Sequence, residues 1–572
     1  MLQHHSSAAV RSPGHGWFVL LRFIFIALLA TWAAGCASLP SNVSRPVSHA
    51  FNTPDDTALG RLVQQRRTQA GVTRSDSGFR LLDSVDMAFT SRLALIEGAQ
   101  RTLDLQYYAI HADGSTEQLL ERIRSAAGRG VRVRILLDDF NSVGADAQVL
   151  RLAFLKNIEL RLYNPLPGSR RSLVGRIFTS LHDAGQIQKR MHNKLFIADN
   201  AWGITGGRNL GDAYFGMGAD SNFVDLDILA AGRIVRDMST SFDSYWNNDL
   251  AYPVEALLDK KDLDSLRAPL GAASAPDVSQ APASTTPDAT VTHTASVLPD
   301  VTTTGVHTRA LDLQQVSLIW APSALMVDKP GKIGPGDDEV DAGDTLVDGL
   351  LALMSQAKTD VLIVSPYFVP GQPMMKVFAD LRQRGVRIRV LTNSLASNDA
   401  PAAHAGYARY RKQLLGMGIE LHEMRAEQEG SAGGLGSGIN SQGSKSAGAL
   451  GSGGGAGGSK SGASRASLHS KAVIIDGYLA VIGSMNLDLR SQLKNSEVAL
   501  VIRSTALSRE SIRLVEDSFA KGAYLLESDN GSLRWRAPKG AAFADASSEP
   551  EASTKLKLLV NVLGPFAPDE ML

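Results

Sequence analysis

The stretch His192-Asn-Lys194-Leu-Phe-Ile-Ala-Asp199 recurs 469 − 192 = 277 positions later as His469-Ser-Lys471-Ala-Val-Ile-Ile-Asp476. Each copy is followed, at the same distance, by a glycine-containing turn that ends in asparagine. The turns are Gly206-Gly207-Arg208-Asn209 and Gly483-Ser484-Met485-Asn486. One His-x-Lys-x4-Asp match carries little weight, but two copies that share a downstream turn indicate a duplicated unit. The repeat therefore predicts two similar halves.

The spacing inside each copy fits attack on a phosphodiester. A His and a Lys two positions apart on a short apolar strand project from the same face, so both can meet one phosphate. The runs Leu195–Ala198 and Ala472–Ile475 are typical of strands buried on both faces. With two such halves face to face, one His attacks while the other protonates the leaving alcohol and later deprotonates the acceptor. We predict a phosphohistidine intermediate, no metal and no organic cofactor; which His attacks stays open.

The other motif residues are predicted to supply charge and support. Lys194 and Lys471 would neutralise the non-bridging phosphate oxygens. Asp199 and Asp476, the last residues of the two motifs, are expected to brace them. Candidates to orient the imidazoles and fix their tautomer are downstream acids, namely Asp225 or Asp227 in the first half and Glu497 in the second. Further phosphate contacts are expected from the two turns, namely Asn209, Asn486, Gly206, Gly207, Gly483 and Ser484.

These residues resemble the phospholipase D superfamily, whose signature is this doubled His-Lys-Asp motif. Four stretches are more narrowly similar to the bacterial cardiolipin synthases of the C type, namely Arg190–Lys194, Gly206–Gly216, Leu391–Asp399 and His404–Lys412. The resemblance implies transfer of a phosphatidyl group from a phospholipid, phosphatidylethanolamine or phosphatidylglycerol, to the primary hydroxyl of phosphatidylglycerol. The product would be cardiolipin. The resemblance also allows for a small partner protein, which this sequence does not identify.

The order of elements predicts an α/β fold. Strand, helix and strand are expected at 101–108, 116–128 and 130–138, and the order returns at 360–368, 374–384 and 385–391. Alternation of this kind indicates sheets with parallel strands and helices on their faces. We therefore predict two pseudo-twofold-related phospholipase D-like domains, with mixed sheets flanked by helices and the active site at their interface.

Composition shifts divide the 572 residues into segments. The first domain is predicted at 79–255 and the second at 311–572, after an N-terminal extension at 37–78. An Ala/Pro/Ser/Thr-rich linker at 256–310 joins them, and a Gly/Ser-rich insert at 428–466 should be disordered because it cannot bury enough apolar surface. Residues 1–36 have the pattern of a lipoprotein-type signal peptide.

The N-terminus points to the cell envelope. Arg11 and Arg22 precede an apolar run, Phe23–Ala34, which ends in small residues before Cys36, the only cysteine. This pattern predicts lipidation of Cys36, with a plain signal peptide or an uncleaved anchor as alternatives. The run is too short for an uncleaved span, which needs about 20 apolar residues. The residue after Cys36 is Ala37 and not the Asp that is associated with inner-membrane retention. We therefore expect a membrane-anchored lipoprotein that faces the periplasm, at the outer membrane rather than the inner.

Charge and chemistry leave three functions to compare. Lys+Arg and Asp+Glu both number 58, so no global positive field favours nucleic acid, and phospholipid is the expected partner. The leading hypothesis is a cardiolipin synthase. The alternative is a phospholipase D-type phosphodiesterase that hydrolyses phospholipid or nucleic acid, because only the acceptor changes from alcohol to water. A non-catalytic lipid-binding protein is a third hypothesis, which the intact doubled motif disfavours.

Overall fold

The computed structural model describes residues 39–168, 184–258, 309–334, 345–427 and 465–563, together with residues 263, 264, 266 and 435. The predicted signal segment, most of the linker and nearly all of the Gly/Ser insert lie outside these residues. The last two insert residues, Arg465 and Ala466, begin a strand instead of continuing a disordered loop. Within the described ranges, no helix has both the length and the apolar character that crossing a bilayer requires.

The first half alternates strands and helices around one large sheet. Side-chain caps start several helices; the Asp113 carboxylate, for example, accepts a hydrogen bond from the Thr116 amide. The strands are β1 (Ser77–Leu82), β2 (Thr102–Tyr107), β3 (Arg132–Asp138), β4 (Ile158–Tyr163), β5 (Arg190–Met191), β6 (Leu195–Ala198), β7 (Trp202–Gly206), β8 (Ser221–Val224), β9 (Asp227–Gly232), β10 (Ala251–Pro253) and β11 (Ile319–Ala321). The α-helices are α1 (Ala58–Ala70), α2 (Val85–Gly98), α3 (Gly114–Gly128), α4 (Ala184–Gln188), α5 (Arg233–Trp246) and α6 (Val254–Leu257), with 3-10 turns at Pro54–Asp56, Gly144–Phe154 and Asp212–Tyr214.

The second half repeats this plan. Its strands are β12 (Ser323–Val327), β13 (Asp360–Val364), β14 (Arg387–Asn393), β15 (Glu420–Met424), β16 (Arg465–Leu468), β17 (Ala472–Ile475), β18 (Leu479–Gly483), β19 (Asn495–Ser496), β20 (Val498–Arg503), β21 (Ala523–Asp529) and β22 (Ser532–Arg536). Its α-helices are α7 (Leu346–Ser355), α8 (Gly371–Gln383), α9 (Pro401–Gly416), α10 (Leu489–Leu493), α11 (Thr505–Lys521) and α12 (Thr554–Leu563), with a 3-10 turn at Pro330–Ile333.

The two large sheets have matching strand orders. In the described residues the first sheet runs β10-β4-β3-β2-β6-β7-β9-β1-β11, and the second, read backwards, runs β22-β21-β15-β14-β13-β17-β18-β20-β12. In both, three strands are parallel (β2, β3, β4 and β13, β14, β15), and the motif strand beside them is antiparallel (β6 and β17). The predicted α/β class, with mixed sheets and an internal repeat, is confirmed.

The change from one sheet to the other falls at Pro322, not at the predicted boundary before residue 311. β11 pairs with β1 in the first sheet, and β12, one residue later, pairs with β20 in the second. The N-terminal extension also packs onto the first half, because Leu59 and Val63 of α1 are buried in its core. Both differences arise because edge strands and flanking helices are recruited by tertiary packing.

Two short parallel ribbons join the halves. β5 pairs with β19, and β8 pairs with β16, so each ribbon takes one strand from each half. A shared apolar cluster lies between the sheets and includes Leu195 and Ile197 of the first half with Ala472 and Ile474 of the second. Because each ribbon strand immediately precedes a candidate site residue, the ribbons bring the site residues of the two halves together.

Candidate active site

Each motif His is placed by the opposite half. The His192 amide, directly after β5, donates to the Ser496 carbonyl at 2.9 Å, and the His469 amide, directly after β16, donates to the Val224 carbonyl at 2.8 Å. His and Lys were expected on the apolar strand itself. They lie instead in the connection just before β6 or β17. Only the apolar residues of each motif form the strand. The His and Lys of each motif precede it, at the end of the sheet that faces the other half.

The imidazoles are oriented by carboxylates from the opposite half. His192 Nδ1 lies 3.0 Å from both carboxylate oxygens of Glu497, and His469 Nδ1 lies 2.6 Å from Asp225 Oδ2. Both carboxylates are fully buried. With Nδ1 committed to a carboxylate, Nε2 is the nitrogen left for chemistry. Asp227, the other candidate, instead contacts the guanidinium groups of Arg92 and Arg208, at 2.9 and 3.5 Å.

The two carboxylates have different surroundings. Glu497 accepts hydrogen bonds from the hydroxyls of Ser484 and Ser491, at 2.5 and 3.0 Å. Burial opposes its ionisation, but the contacts with His192, Lys194 and Ser484 outweigh burial and lower the Glu497 pKa. Asp225 accepts from the Leu226 amide at 2.8 Å. Burial, only partly offset by Lys471 and Arg208, raises the Asp225 pKa. The pair around His192 is therefore the better prepared to balance a positive imidazole.

The basic groups of the site are crowded and buried. Burial, opposed by Glu497 but reinforced by Lys194, lowers the pKa of His192 to about 4, and burial lowers the pKa of Lys194 to about 7. The pKa values of His469 and Lys471 are also lowered, burial being the largest cause for both. Each ammonium donates to the carbonyl of its own motif His, at 2.8 and 2.5 Å. An anion bound among these groups would reverse the shifts, since it supplies the missing negative charge.

Aromatic rings line both imidazoles, a feature that the sequence analysis missed. The Tyr108 ring meets His192 edge-on with centroids 5.2 Å apart, and Tyr214 meets His469 in the same way at 5.4 Å. Phe223 also contacts His469, at 5.0 Å. Asn209 supports this wall, because its side-chain amide donates to the Tyr214 hydroxyl at 2.9 Å. The sequence did contain a hint of this arrangement, because Tyr108 ends a predicted strand and Tyr214 follows the first glycine turn.

Asn486, the equivalent of Asn209, has a different environment. It is 5% exposed, and its Oδ1 has no hydrogen-bond partner among the described residues. The backbone amide of Asn486 donates to the Ser491 hydroxyl, which in turn donates to Glu497. Asn486 is thus linked to the Glu497 carboxylate through Ser491, and its one buried, unbonded side-chain oxygen is what a residue that contacts a ligand would present.

Three backbone amides of the two turns, where phosphate contacts are predicted, already donate hydrogen bonds within the protein. The amides of Gly207, Gly483 and Ser484 donate to backbone carbonyls, at 3.3, 3.3 and 2.9 Å. A Cβ atom at Gly207 would lie 2.1 Å from Asp225 Oδ1, and one at Gly206 would lie 2.3 Å from Asp227 Oδ1. Gly206 and Gly207 are therefore small because acidic residues pack against them, whereas a side chain at Gly483 would collide with the Val498 carbonyl.

Asp199 and Asp476 brace the far ends of the motif strands. Asp199 accepts from the amides of residues 100, 101 and 102 at 2.7 to 2.9 Å. Asp476 accepts from the amides of residues 358, 359 and 360 at 2.7 to 3.1 Å. Both have left-handed backbone conformations, with φ of 52° and 50°. Each therefore ties the end of its motif strand to the start of the next strand in the sheet.

The complete set comprises two imidazoles, two ammonium groups and two buried carboxylates, drawn equally from both halves. His192 lies close enough to influence the charge of His469. In the part of the chain that the structure describes, no group of three or more His, Cys, Asp or Glu side chains is arranged to hold a metal ion. These side chains can hold one phosphate group, attack it and move the required protons.

Comparison with known proteins extends the likeness beyond the motifs. The family model described as "Cardiolipin synthase, PLD-like domain" matches residues 93–246, 350–434 and 439–521. Cardiolipin synthase C of Escherichia coli is 36% identical over 446 residues, which cover 78% of this chain and 84% of that protein. Cardiolipin synthase A of Cronobacter sakazakii is 23% identical and covers 83% of this chain and 75% of that protein. The phosphatidylserine synthase structure from Haemophilus influenzae covers 82% of this chain and 91% of that chain, at 12% identity and a TM-score of 0.48.

Proposed function

Because this chain belongs to the family of cardiolipin synthases with a phospholipase D-like domain, we propose that it is an enzyme that transfers a phosphatidyl group to phosphatidylglycerol and so forms cardiolipin. The observation that carries the proposal is the pair of cross-half contacts, His192 with Glu497 and His469 with Asp225. They give two imidazoles with a fixed tautomer in one site, which is what a two-step transfer needs.

In the first step, Nε2 of His192 attacks the phosphorus of the donor lipid. A P–N bond forms, the P–O bond to the donor alcohol breaks, and His469, which the negative charge of the bound phosphate keeps protonated, gives its proton to the leaving oxygen. We assign the attack to His192 because phosphorylation at Nε2 leaves a cationic ring. Glu497, which is kept ionised by its hydroxyl donors, balances that charge at Nδ1. Lys194 and Lys471 stabilise the charge that develops on the phosphate oxygens.

In the second step, the primary hydroxyl of phosphatidylglycerol attacks the phosphohistidine. His469, now neutral, takes the hydroxyl proton, the new P–O bond forms, and the P–N bond to His192 breaks. The two steps leave both imidazoles in their starting states. Water in place of the second lipid would yield phosphatidic acid, so exclusion of water separates a synthase from a hydrolase.

The experiment is an incubation of the detergent-solubilised protein with phosphatidylglycerol, with and without phosphatidylethanolamine, in the presence of a chelator. Mass spectrometry identifies the products. Cardiolipin that disappears in the His469→Ala variant supports the synthase, and the effect of the second lipid identifies the donor. Phosphatidic acid as the sole product would contradict it and indicate a phospholipase. Loss of all activity in chelator would contradict the metal-free mechanism.

We also propose that Cys36 is acylated and holds the enzyme at the periplasmic side of the envelope. The support is the sequence pattern alone, an apolar run followed by small residues and a single cysteine. Metabolic labelling with a palmitate analogue tests it. Label on the wild type but not on Cys36→Ser is the expected result, and equal label on both proteins would exclude this acylation site.

A further inference from the structure

We propose that the outward face of α12 rests on an anionic phospholipid bilayer and holds the active site against its lipid substrates, an inference that rests on the proposed function. Leu558, Leu559 and Val562 define this face, and they are 64%, 45% and 56% exposed. Residues three and four positions apart on a helix are neighbours on its surface, so Val562 joins Leu559 and Leu558 into one patch. Three large aliphatic side chains exposed together on one short helix are unusual for a surface that meets only water.

The opposite side of α12 fixes the direction in which this face points. Val560 is buried and Leu556 half-buried against Leu395 and Ala405, the latter on α9. Glu549 and Glu551, just before the helix, pair with arginines of the second half, Arg411 and Arg425. The helix is therefore held from one side by packing and from its N-terminal approach by ion pairs, while no residue in the described ranges covers the apolar face.

The buried side of α12 contacts a loop that is hydrogen-bonded to the strand before His469. Leu395, which α12 covers, is one residue before Ala396, whose carbonyl accepts a hydrogen bond from Arg465 of β16. β16 leads directly into His469 and pairs with β8, which leads into Asp225. Further along the same loop, Asp399 accepts from the Tyr367 hydroxyl at 2.8 Å and lies within electrostatic reach of Lys471. α12 is thus linked to the site through Leu395, Ala396 and β16, and a bilayer on its outward face would be separated from this loop by the helix alone.

Charge identifies the occupant as an anionic lipid surface. Lys555 lies one turn before Leu558 and Leu559 on the same face, and Lys557 lies at its flank, 3.3 Å from the Ser548 hydroxyl. The helix contains no acidic residue between 554 and 563. An apolar face with lysines at its edge matches the boundary between acyl chains and anionic head groups. A second copy packed on the same face around a twofold axis would bring the Lys555 ammonium groups together, which disfavours that occupant.

Site-specific fluorescence tests the contact without using turnover. Since Cys36 is the only cysteine, the full-length Cys36→Ser protein with Val562→Cys can carry one environment-sensitive nitrobenzoxadiazole label. Vesicles of phosphatidylglycerol and phosphatidylcholine should shift its emission to the blue and raise its intensity. The matched control is Tyr478→Cys, because Tyr478 is 44% exposed but follows β17 at the end remote from His469. Equal responses at both positions, or none at 562, would overturn the proposal.

A kinetic comparison then links the contact to catalysis. We expect Leu558→Gln with Leu559→Gln to raise the vesicle concentration for half-maximal rate about tenfold, because less apolar surface enters the bilayer. Rates on dibutyroyl phosphatidylglycerol, which is monomeric in solution, should stay unchanged, and Tyr478→Gln should behave as wild type in both assays. An unchanged vesicle dependence, or a dimer that dissociates in the variant, would contradict membrane docking. Failure of the proposed chemistry would instead remove turnover on both substrates and leave the fluorescence response intact.

Discussion

His192 Nδ1 lies 3.0 Å from both carboxylate oxygens of Glu497, a residue 305 positions later and in the other half of the molecule. The pseudo-symmetric contact joins His469 to Asp225, which is 244 positions earlier, at 2.6 Å. Neither half alone contains an imidazole together with the carboxylate that orients it. The halves therefore depend on each other for chemistry as well as for packing.

The assignment of His192 as the nucleophile predicts which covalent adduct can be trapped. A donor lipid with a p-nitrophenol leaving group needs no general acid, so His469→Ala should still form the phosphohistidine. The phosphohistidine in this variant should break down about 10² to 10⁴ times more slowly than in the wild type, because the base that deprotonates the acceptor is absent. Intact-mass spectrometry should then find the phosphatidyl adduct, and peptide mapping should locate it at His192.

The reciprocal variant is the control. His192→Ala should form no adduct from the same activated donor. An adduct at His469 in that protein, and none at His192 in His469→Ala, would reverse the two roles while leaving the two-step mechanism standing.

Removal of the Ser484 hydroxyl should make the site more sensitive to acid. The hydroxyl favours the ionised form of Glu497, so Ser484→Ala raises the Glu497 pKa from its lowered value. A lowered carboxyl pKa contributes stability above the unfolded value, and this stability is lost as pH falls through the folded value. We expect the acid limb of the kcat profile to move to higher pH. At neutral pH the free energy of unfolding should fall by about 1 to 2 kcal/mol.

Ser508→Ala is a matched control for this experiment. Ser508 is fully buried, and its hydroxyl oxygen has no hydrogen-bond partner among the described residues. The substitution should leave the pH profile of kcat unchanged. If Ser484→Ala gives the same profile as Ser508→Ala, the hydroxyl does not act through Glu497.

Binding of an inorganic anion should weaken as pH rises above about 7. Burial lowers the Lys194 pKa to about 7, so the ammonium that would hold an oxyanion is progressively lost above that pH. Tungstate or phosphate should bind with uptake of a proton, because the anion restores the charged form. Calorimetry in buffers of different ionisation enthalpy measures that uptake. Lys194→Met should bind the anion weakly and with a flatter pH dependence; an unchanged dependence would mean that another group titrates.

Replacement of Asp199 should lower the free energy of unfolding strongly and change kcat little. The carboxylate satisfies three backbone amides and is fully buried, so Asp199→Ala should reduce the free energy of unfolding by about 2 to 4 kcal/mol. Asp199→Asn should lose less, because it keeps one oxygen acceptor and tolerates the left-handed backbone. Chemical denaturation measures both. A large loss of kcat in folded Asp199→Asn protein would indicate a direct catalytic role and contradict the brace.

Much of the architecture followed from local pattern. Apolar runs such as Leu195–Ala198 and Ala472–Ile475 form strands with the bounds that the pattern indicated. The repeated strand-helix-strand order led to mixed α/β sheets, because periodicity and turn residues act over short distances. The errors lie where distant segments meet. Ile319–Ala321 joined the first sheet, since an edge strand pairs with whichever open edge packing presents to it.

The sequence by itself determined the chemical inventory: two histidines, two lysines and their spacing, with Asp225, Asp227 and Glu497 as acids of undecided role. Only the tertiary structure decided that Glu497 serves His192, that Asp225 serves His469 and that Asp227 binds arginine instead. It also committed the amides of Gly207, Gly483 and Ser484 to backbone carbonyls and placed Tyr108 and Tyr214 against the imidazoles. The physical reason is range: side-chain spacing follows local backbone geometry, whereas pairing across the seam depends on two ribbons whose strands lie hundreds of residues apart.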